Sequence, residues 1–162
     1  MKKLLVVVMC VLCGLFMMGC GGSGDSGDKP VTEVVSEKQD EMTEKAVMYY
    51  LTAMTANYSS AYTVAINKDQ KNEYLNKAIT DINIAMSEIE NEYEEGVPPT
   101  SELLELGKIL KLVIEADMLG DNEGAYEYAV KSGEIIGDLS REYLDGDLPI
   151  GIQYMIDKGS QN

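Results

Sequence analysis

Apolar side chains recur three and four residues apart from Met42 to Ile156, and this spacing constrains the fold more than any other feature. Such spacing places apolar side chains on one face of an α-helix. The clearest example lies in residues 69–95, between charged positions. Its apolar positions are Leu75, Ile79, Ile82, Met86, Ile89 and Tyr93. No segment alternates convincingly as a strand does, so we predict an all-α domain.

The spacing and the helix-end residues predict five helices. Their approximate bounds are 33–67, 69–95, 101–119, 122–144 and a short last helix. Glycines end three of them (Gly96, Gly120 and Gly146), because glycine readily adopts the positive φ of a helix terminus. We expect Thr100 or Ser101 to cap the third helix and Asp147 the last. The arrangement predicted is an antiparallel helical bundle, or two stacked long helical hairpins, with a short C-terminal capping helix.

The first helix is unusual because residues 46–67 carry no charge. A membrane span and a central, mostly buried helix are the two interpretations. Scattered polar residues such as Thr52, Thr55 and Asn57 favour the buried helix, because a bilayer leaves polar groups unpaired. We expect its buried face to consist of apolar or small residues, namely Val35, Met42, Ala46, Tyr49, Ala53, Ala56 and Ser60. The small ones among them, Ala53, Ala56 and Ser60, would let another helix approach closely.

An internal repeat relates the two halves of the chain. Glu92-Tyr93-x-x-Gly96-x-x-Pro99 matches Glu142-Tyr143-x-x-Gly146-x-x-Pro149 at an offset of 50 residues. Either two helical hairpins are duplicated, or helix ends have converged on Gly and Pro for local reasons. Gly120-Asp121-x-x-x-Ala125, with Leu106-Gly107, also resembles part of a tetratricopeptide repeat, which implies stacked antiparallel helices.

The N-terminus has the form of a secretory signal: Lys2 and Lys3, an apolar run, then Gly19-Cys20. Gly19-Cys20 resembles a bacterial lipobox, which implies a diacylglyceryl group on the Cys20 thiol and cleavage before it. The domains expected are a signal peptide (1–19), a lipidated cysteine with a flexible Gly/Ser/Asp linker (20–30) and an acidic helical domain (31–162). Two acyl chains anchor stably, which predicts an extracytoplasmic membrane protein. An uncleaved anchor and ordinary secretion are the alternatives, and a Gram-positive source is our hypothesis.

Composition argues against several kinds of chemistry. The chain has no His, and all three cysteines lie at or before Cys20, so the acidic domain lacks imidazole and thiol groups. A net charge of −15 repels phosphate backbones, which argues against nucleic-acid binding. Lys131 and Ser132 are adjacent on a helix and do not face each other. We therefore predict no enzyme, and assign no catalytic residue, cofactor or metal site.

Two residue types remain as binding candidates. Glu90, Glu92, Glu94 and Glu95, with Asp145 and Asp147, form acidic helix ends that we interpret as solvated, with weak cation binding as the alternative. Ten tyrosines either close seams between helices or partly line a partner groove. The leading functional prediction is a non-enzymatic module that binds or scaffolds a protein with a basic surface. The alternatives are a protective, immunity-type lipoprotein that occupies an incoming toxin or phage factor, and a small-ligand or cation receptor.

Overall fold

A computed structural model describes residues 38–159 of the chain. The helices of this part are α1 (Glu44–Thr63), α2 (Lys68–Glu92), α3 (Thr100–Leu119), α4 (Asn122–Tyr143) and α5 (Ile150–Gly159). Between residues 38 and 159 there is no strand, only an isolated bridge between Gln39 and Tyr93. The predicted signal peptide, Cys20, the predicted linker and Val35 lie outside the described residues.

The helices pack as two hairpins with a short helix added. Helices α1 and α2 form the first hairpin, and α3 and α4 form the second. The hairpins meet mainly where α2 packs on α3, while α5 packs on α1. This arrangement confirms the predicted all-α fold of packed hairpins with a short C-terminal helix.

Large aliphatic side chains form the core. The predicted stripe of α3 is confirmed, since Leu103, Leu106, Leu110 and Val113 are all buried. In α2 the predicted stripe is also confirmed, although Ile79 and Met86 pack at the edge of the core. Helices α2 and α3 approach closely at Gly107, where an added β-carbon would lie 2.7 Å from the Met86 sulfur.

The first helix begins later than predicted. It starts at Glu44, not near residue 33, and Thr43 caps it by accepting a hydrogen bond from the Ala46 amide at 3.3 Å. The segment before it is held in extended form against the end of α2. There the Gln39 amide donates to the Glu92 carbonyl at 2.7 Å, and the Glu94 amide donates to the Gln39 carbonyl at 3.0 Å.

The predicted buried face of α1 is confirmed only in part. Met42 is buried, and Ala46 and Ala53 pack against the edge of the core. Tyr49, at 57%, and Ala56 are exposed instead. The fully packed positions of α1 are Val47, Tyr50, Leu51, Met54, Tyr58 and Ala61. Where a helix is apolar on two faces, the face with larger side chains gains more from burial, because it removes more apolar area from water.

Two predicted caps are also wrong, and the predicted glycine ends are confirmed only in part. Gly120 is the C-terminal cap of α3, whereas α2 and α4 end before their glycines, with Tyr93 and Leu144 in the C-terminal cap positions. Pro99 occupies the cap position of α3, and the Thr100 hydroxyl donates back to the Val97 carbonyl at 2.5 Å. Helix α5 begins three residues after Asp147, whose carbonyl accepts from the Ser140 hydroxyl. Positive φ angles of 86°, 78° and 90° occur at Gly96, Gly120 and Gly146.

The turns at Gly96 and Gly146 lead into helices that begin 50 residues apart, at Thr100 and Ile150. The two turns share a glycine with positive φ and one equivalent hydrogen bond, from Val97 to Glu94 and from Asp147 to Leu144. They differ before the glycine, where Tyr93 is extended and Leu144 is not, and α3 pairs with α4 whereas α5 packs on α1. A duplication and the tetratricopeptide resemblance both stay predictions.

Despite the uncharged sequence of α1, none of the helices between residues 38 and 159 is long and apolar enough to cross a membrane.

Candidate binding groove

The outward face of α1 lies between two open cavities. A cavity of about 570 Å³ separates α1 from α2, and another of about 520 Å³ separates α1 from the segment that leads into α5. Met48, Thr52 and Ala56 line both, so only short side chains at the last two positions divide them. We call this surface the α1 groove, defined by Lys45, Met48, Tyr49, Thr52, Ala53, Ala56, Asp81, Ile84, Glu88, Pro149 and Ile150.

Exposed apolar side chains form the sides of the α1 groove. Tyr49 on α1 is 57% exposed, Ile84 on α2 is 53% exposed and Ile150 at the start of α5 is 88% exposed. Grouped apolar exposure beside a concave surface is typical of an interaction site, whereas single exposed apolar residues are ordinary. The groove therefore has the form of a surface that another molecule covers.

Charge at the α1 groove is concentrated on the α2 side. Asp81 and Glu88 stand one turn before and after Ile84, and Lys45 is the basic residue of the lining. The Asn57 amide donates to the Asp81 carboxylate at 2.6 Å, which fixes this carboxylate beside the groove floor. An apolar floor with an oriented carboxylate at its edge can bind a mixed apolar and cationic surface.

The predicted acidic helix end is separate from the groove lining. The chain enters the domain here, and the Lys38 ammonium donates to the Glu90 carbonyl at 2.5 Å. The positive charge of Lys38 interacts favourably with the negative, C-terminal end of the α2 dipole. Glu92 is engaged by the Tyr50 hydroxyl. Across residues 38–159 no three acidic, Cys or His side chains are grouped so that they could hold a metal ion.

Several tyrosines close seams between helices, as one of the two interpretations expected. Tyr50 donates to the Glu92 carboxylate at 3.0 Å and thereby joins α1 to α2. Tyr62 donates to the Asp117 carboxylate at 3.1 Å and joins α1 to α3. Burial, and then the negative charge of Asp117, raises the pKa of Tyr58 to about 12. Burial and the Glu92 carboxylate also raise the pKa of Tyr50.

Other tyrosines are outward. Tyr49 borders the α1 groove, Tyr154 is 48% exposed on α5, and Tyr126 is 74% exposed on α4. The structure thus divides the tyrosines between the two roles considered from sequence, with Tyr49 as the one that lines the α1 groove.

The Lys131 and Ser132 side chains bond to different partners. The Lys131 ammonium pairs with Glu105 at 2.9 Å, while the buried Ser132 hydroxyl donates to the Ala129 carbonyl at 2.9 Å. A nucleophile and its base must lie within hydrogen-bonding distance of each other, and these two side chains bond to other groups instead.

The groove walls outside α1 were missed by sequence reasoning. Ile84 gives a usable signal, because it is out of phase with the buried stripe of α2 and stands between Asp81 and Glu88. Pro149 and Ile150 give no such signal, since only the packing of α5 on α1 brings them to the groove.

No protein-family model, curated protein or solved structure significantly matches the chain. Fold and groove define its class: a small acidic domain of packed helical hairpins with an open, helix-lined groove.

Proposed function

We propose that this protein is a lipid-anchored, extracytoplasmic bacterial module that binds another protein without catalysing a reaction. The observation that carries the binding role is the α1 groove, where Tyr49, Ile84 and Ile150 expose apolar surface around a floor of small residues. The Gly19-Cys20 motif supports the anchor. The Gly/Ser/Asp-rich composition of residues 21–30 is that of a linker, which would give the domain reach from its anchored cysteine.

The shape of the groove favours a macromolecule over a small ligand. Small-molecule sites enclose most of the ligand's surface, and the two cavities beside α1 are open instead. A protective module that occupies an incoming toxin or phage factor uses the same kind of surface. It remains the second candidate because it differs in the partner's identity and not in the binding chemistry.

The anchor is tested by metabolic labelling of the full chain with a palmitate analogue. We expect the wild-type chain to be labelled and to stay with the membrane fraction. Cys20→Ala should be unlabelled and should leave that fraction, because it lacks the thiol that carries the lipid. Equal labelling of both chains would contradict lipidation at Cys20.

The binding role is tested by photo-crosslinking on intact cells. A photoreactive amino acid replaces Tyr49 in the groove or Val130, which is 46% exposed on α4, as the matched control. We expect a discrete crosslinked partner from position 49 that is absent from position 130. The same products, or none, at both positions would overturn the proposal that the α1 groove is the binding surface.

A further inference from the structure

We infer that the α1 groove binds an amphipathic α-helix of a partner protein, with alanine-sized and aliphatic residues on its docking face and lysine or arginine beside them. This inference rests on the proposed function, because it names the class of partner that the same surface takes.

The dimensions of the groove fit a helix. The residues of α1 that line the two cavities run from Lys45 to Ser60. At about 1.5 Å per residue this stretch is about 22 Å long, or about four helical turns. Its floor consists of Thr52, Ala53 and Ala56, and interaxial distances between helices depend on the side chains at the contact. Short side chains therefore let a docked helix approach α1 closely between Ile84 and Ile150.

The bonding state of the lining favours a helix over an extended peptide. Lining residues 45–60 of α1 and 81–88 of α2 lie inside helices, where backbone amides and carbonyls bond within the helix. These two helical walls offer side chains but no backbone ladder for a strand to join. The remaining wall contains the short non-helical segment Leu148-Pro149, whose proline has no backbone N–H to donate. A docked helix satisfies its own backbone and presents side chains alone, which is the helix-in-groove mode of recognition.

The acidic residues at the groove favour a positively charged partner. Asp81 and Glu88 border the groove on α2. Lys45 alone opposes them in the lining. The whole chain carries a net charge of −15, so its long-range field also attracts basic segments. Acidic helices are rejected by both effects.

The test uses two synthetic helical peptides with the same Ala/Leu face, one with lysines beside it and one with glutamates. Each carries one tryptophan, and since the protein has none, tryptophan fluorescence reports on the peptide alone. We expect the lysine peptide to bind, and we expect its affinity to fall as the salt concentration rises. The glutamate peptide should bind at least about tenfold more weakly, given the energies of mismatched charges. Equal affinities, or no binding by the lysine peptide, would overturn the inference.

Location is tested with matched variants. Ala56→Arg fills the exposed floor of the groove, and Val130→Arg introduces the same charge on an exposed position of α4. We expect Ala56→Arg to weaken binding of the lysine peptide about tenfold or more, as hot-spot substitutions do, while Val130→Arg leaves it close to wild type. Unchanged melting temperatures show that both variants fold. Equal effects of the two substitutions would place the peptide elsewhere and contradict the inference.

The proposed function can survive the failure of this inference. If crosslinking at position 49 captures a specific partner through an acidic or non-helical segment, the protein-binding role stands and the helix assignment is wrong. If position 49 captures nothing specific on cells, the proposed function itself fails.

Discussion

The ammonium of Lys71 and the carboxylate of Asp117 form an ion pair 2.8 Å apart, which joins α2 to α3. The Tyr62 hydroxyl donates to the same carboxylate, and the Lys71 ammonium lies 4.5 Å from the centre of the Tyr62 ring. One carboxylate therefore connects three helices, and both charged side chains are largely shielded from solvent, being 31% and 20% exposed.

Asp117→Ala should lower the free energy of unfolding by about 1–3 kcal/mol, because it leaves two donors without their acceptor. Urea denaturation of the purified domain measures this change. Asp138→Ala is the matched control, since its partner Arg141 is on the same helix and both side chains are highly exposed. That variant should stay within about 1 kcal/mol of wild type. Equal losses in both variants would contradict the linking role of Asp117.

Gly151→Val should loosen α5 from α1. A β-carbon at this position would overlap the Ser59 hydroxyl and lie 3.1 Å from the Ser59 β-carbon. The serine must rotate to admit the β-carbon, and the two additional methyl groups of valine then push α5 away from α1. Hydrogen exchange of the α5 amides should accelerate while α2 and α3 stay protected.

Gly133→Ala, on α4, is the control for this glycine substitution. Nothing lies within 4 Å of its added β-carbon, so it should stabilise the protein by up to about 1 kcal/mol through helix propensity. Faster hydrogen exchange in α5 of this control, or unchanged exchange in Gly151→Val, would show that the close packing of Gly151 on α1 does not hold α5 in place.

Stability should fall between pH 10 and about 12 in part through Tyr58. Burial and Asp117 raise its pKa from 10.0 to about 12 in the folded protein. The unfolded chain therefore releases this proton first, and the stabilisation present below pH 10 is lost as pH rises through 12. A two-unit difference corresponds to about 3 kcal/mol.

Urea denaturation at a series of pH values checks this expectation. Tyr58→Phe should lose less stability over the interval than wild type, relative to its own stability at neutral pH. Tyr126→Phe removes an exposed hydroxyl and should follow the wild-type slope. The explanation fails if Tyr58→Phe and wild type lose stability in parallel.

Leu51→Ala should cost about 2–5 kcal/mol, since Leu51 is fully buried in the face that α1 turns to the core. Ala56→Leu, on the outward face, should change the free energy of unfolding by less than about 1 kcal/mol. Thermal and urea unfolding of the two variants together test which face of α1 is inward. A larger loss of unfolding free energy in Ala56→Leu than in Leu51→Ala would instead support the sequence-based prediction that Ala56 faces the core.

Helix positions and most of the core could be predicted because local rules and tertiary packing agree there. Residues 69–95 show this, since one apolar stripe is flanked by charges and ends before Gly96. The face of α1 could not be predicted in the same way. Residues 46–67 carry no charge that would mark the solvent-facing side, so Ala56 and Leu51 were equally acceptable as inward residues. Only the competition for buried apolar area decides between them.

The candidate site could be predicted only in part. The small residues of α1 were recognised as a surface for close approach, but they were expected to pack inside the bundle. Ile150 reaches the groove through the docking of α5 on α1, a contact between distant parts of the chain that no local pattern encodes. The cap at Thr43 was missed, because the first helix was expected to begin near residue 33.

The two hydrogen bonds of Gln39 give the domain a mechanical property. Tension applied to the chain before Lys38 is transmitted first to the bonds that join Gln39 to Glu92 and Glu94, and only then to α1. These hydrogen bonds, together with that from Lys38 to Glu90, would have to break before a pull on the chain could begin to unwind α1.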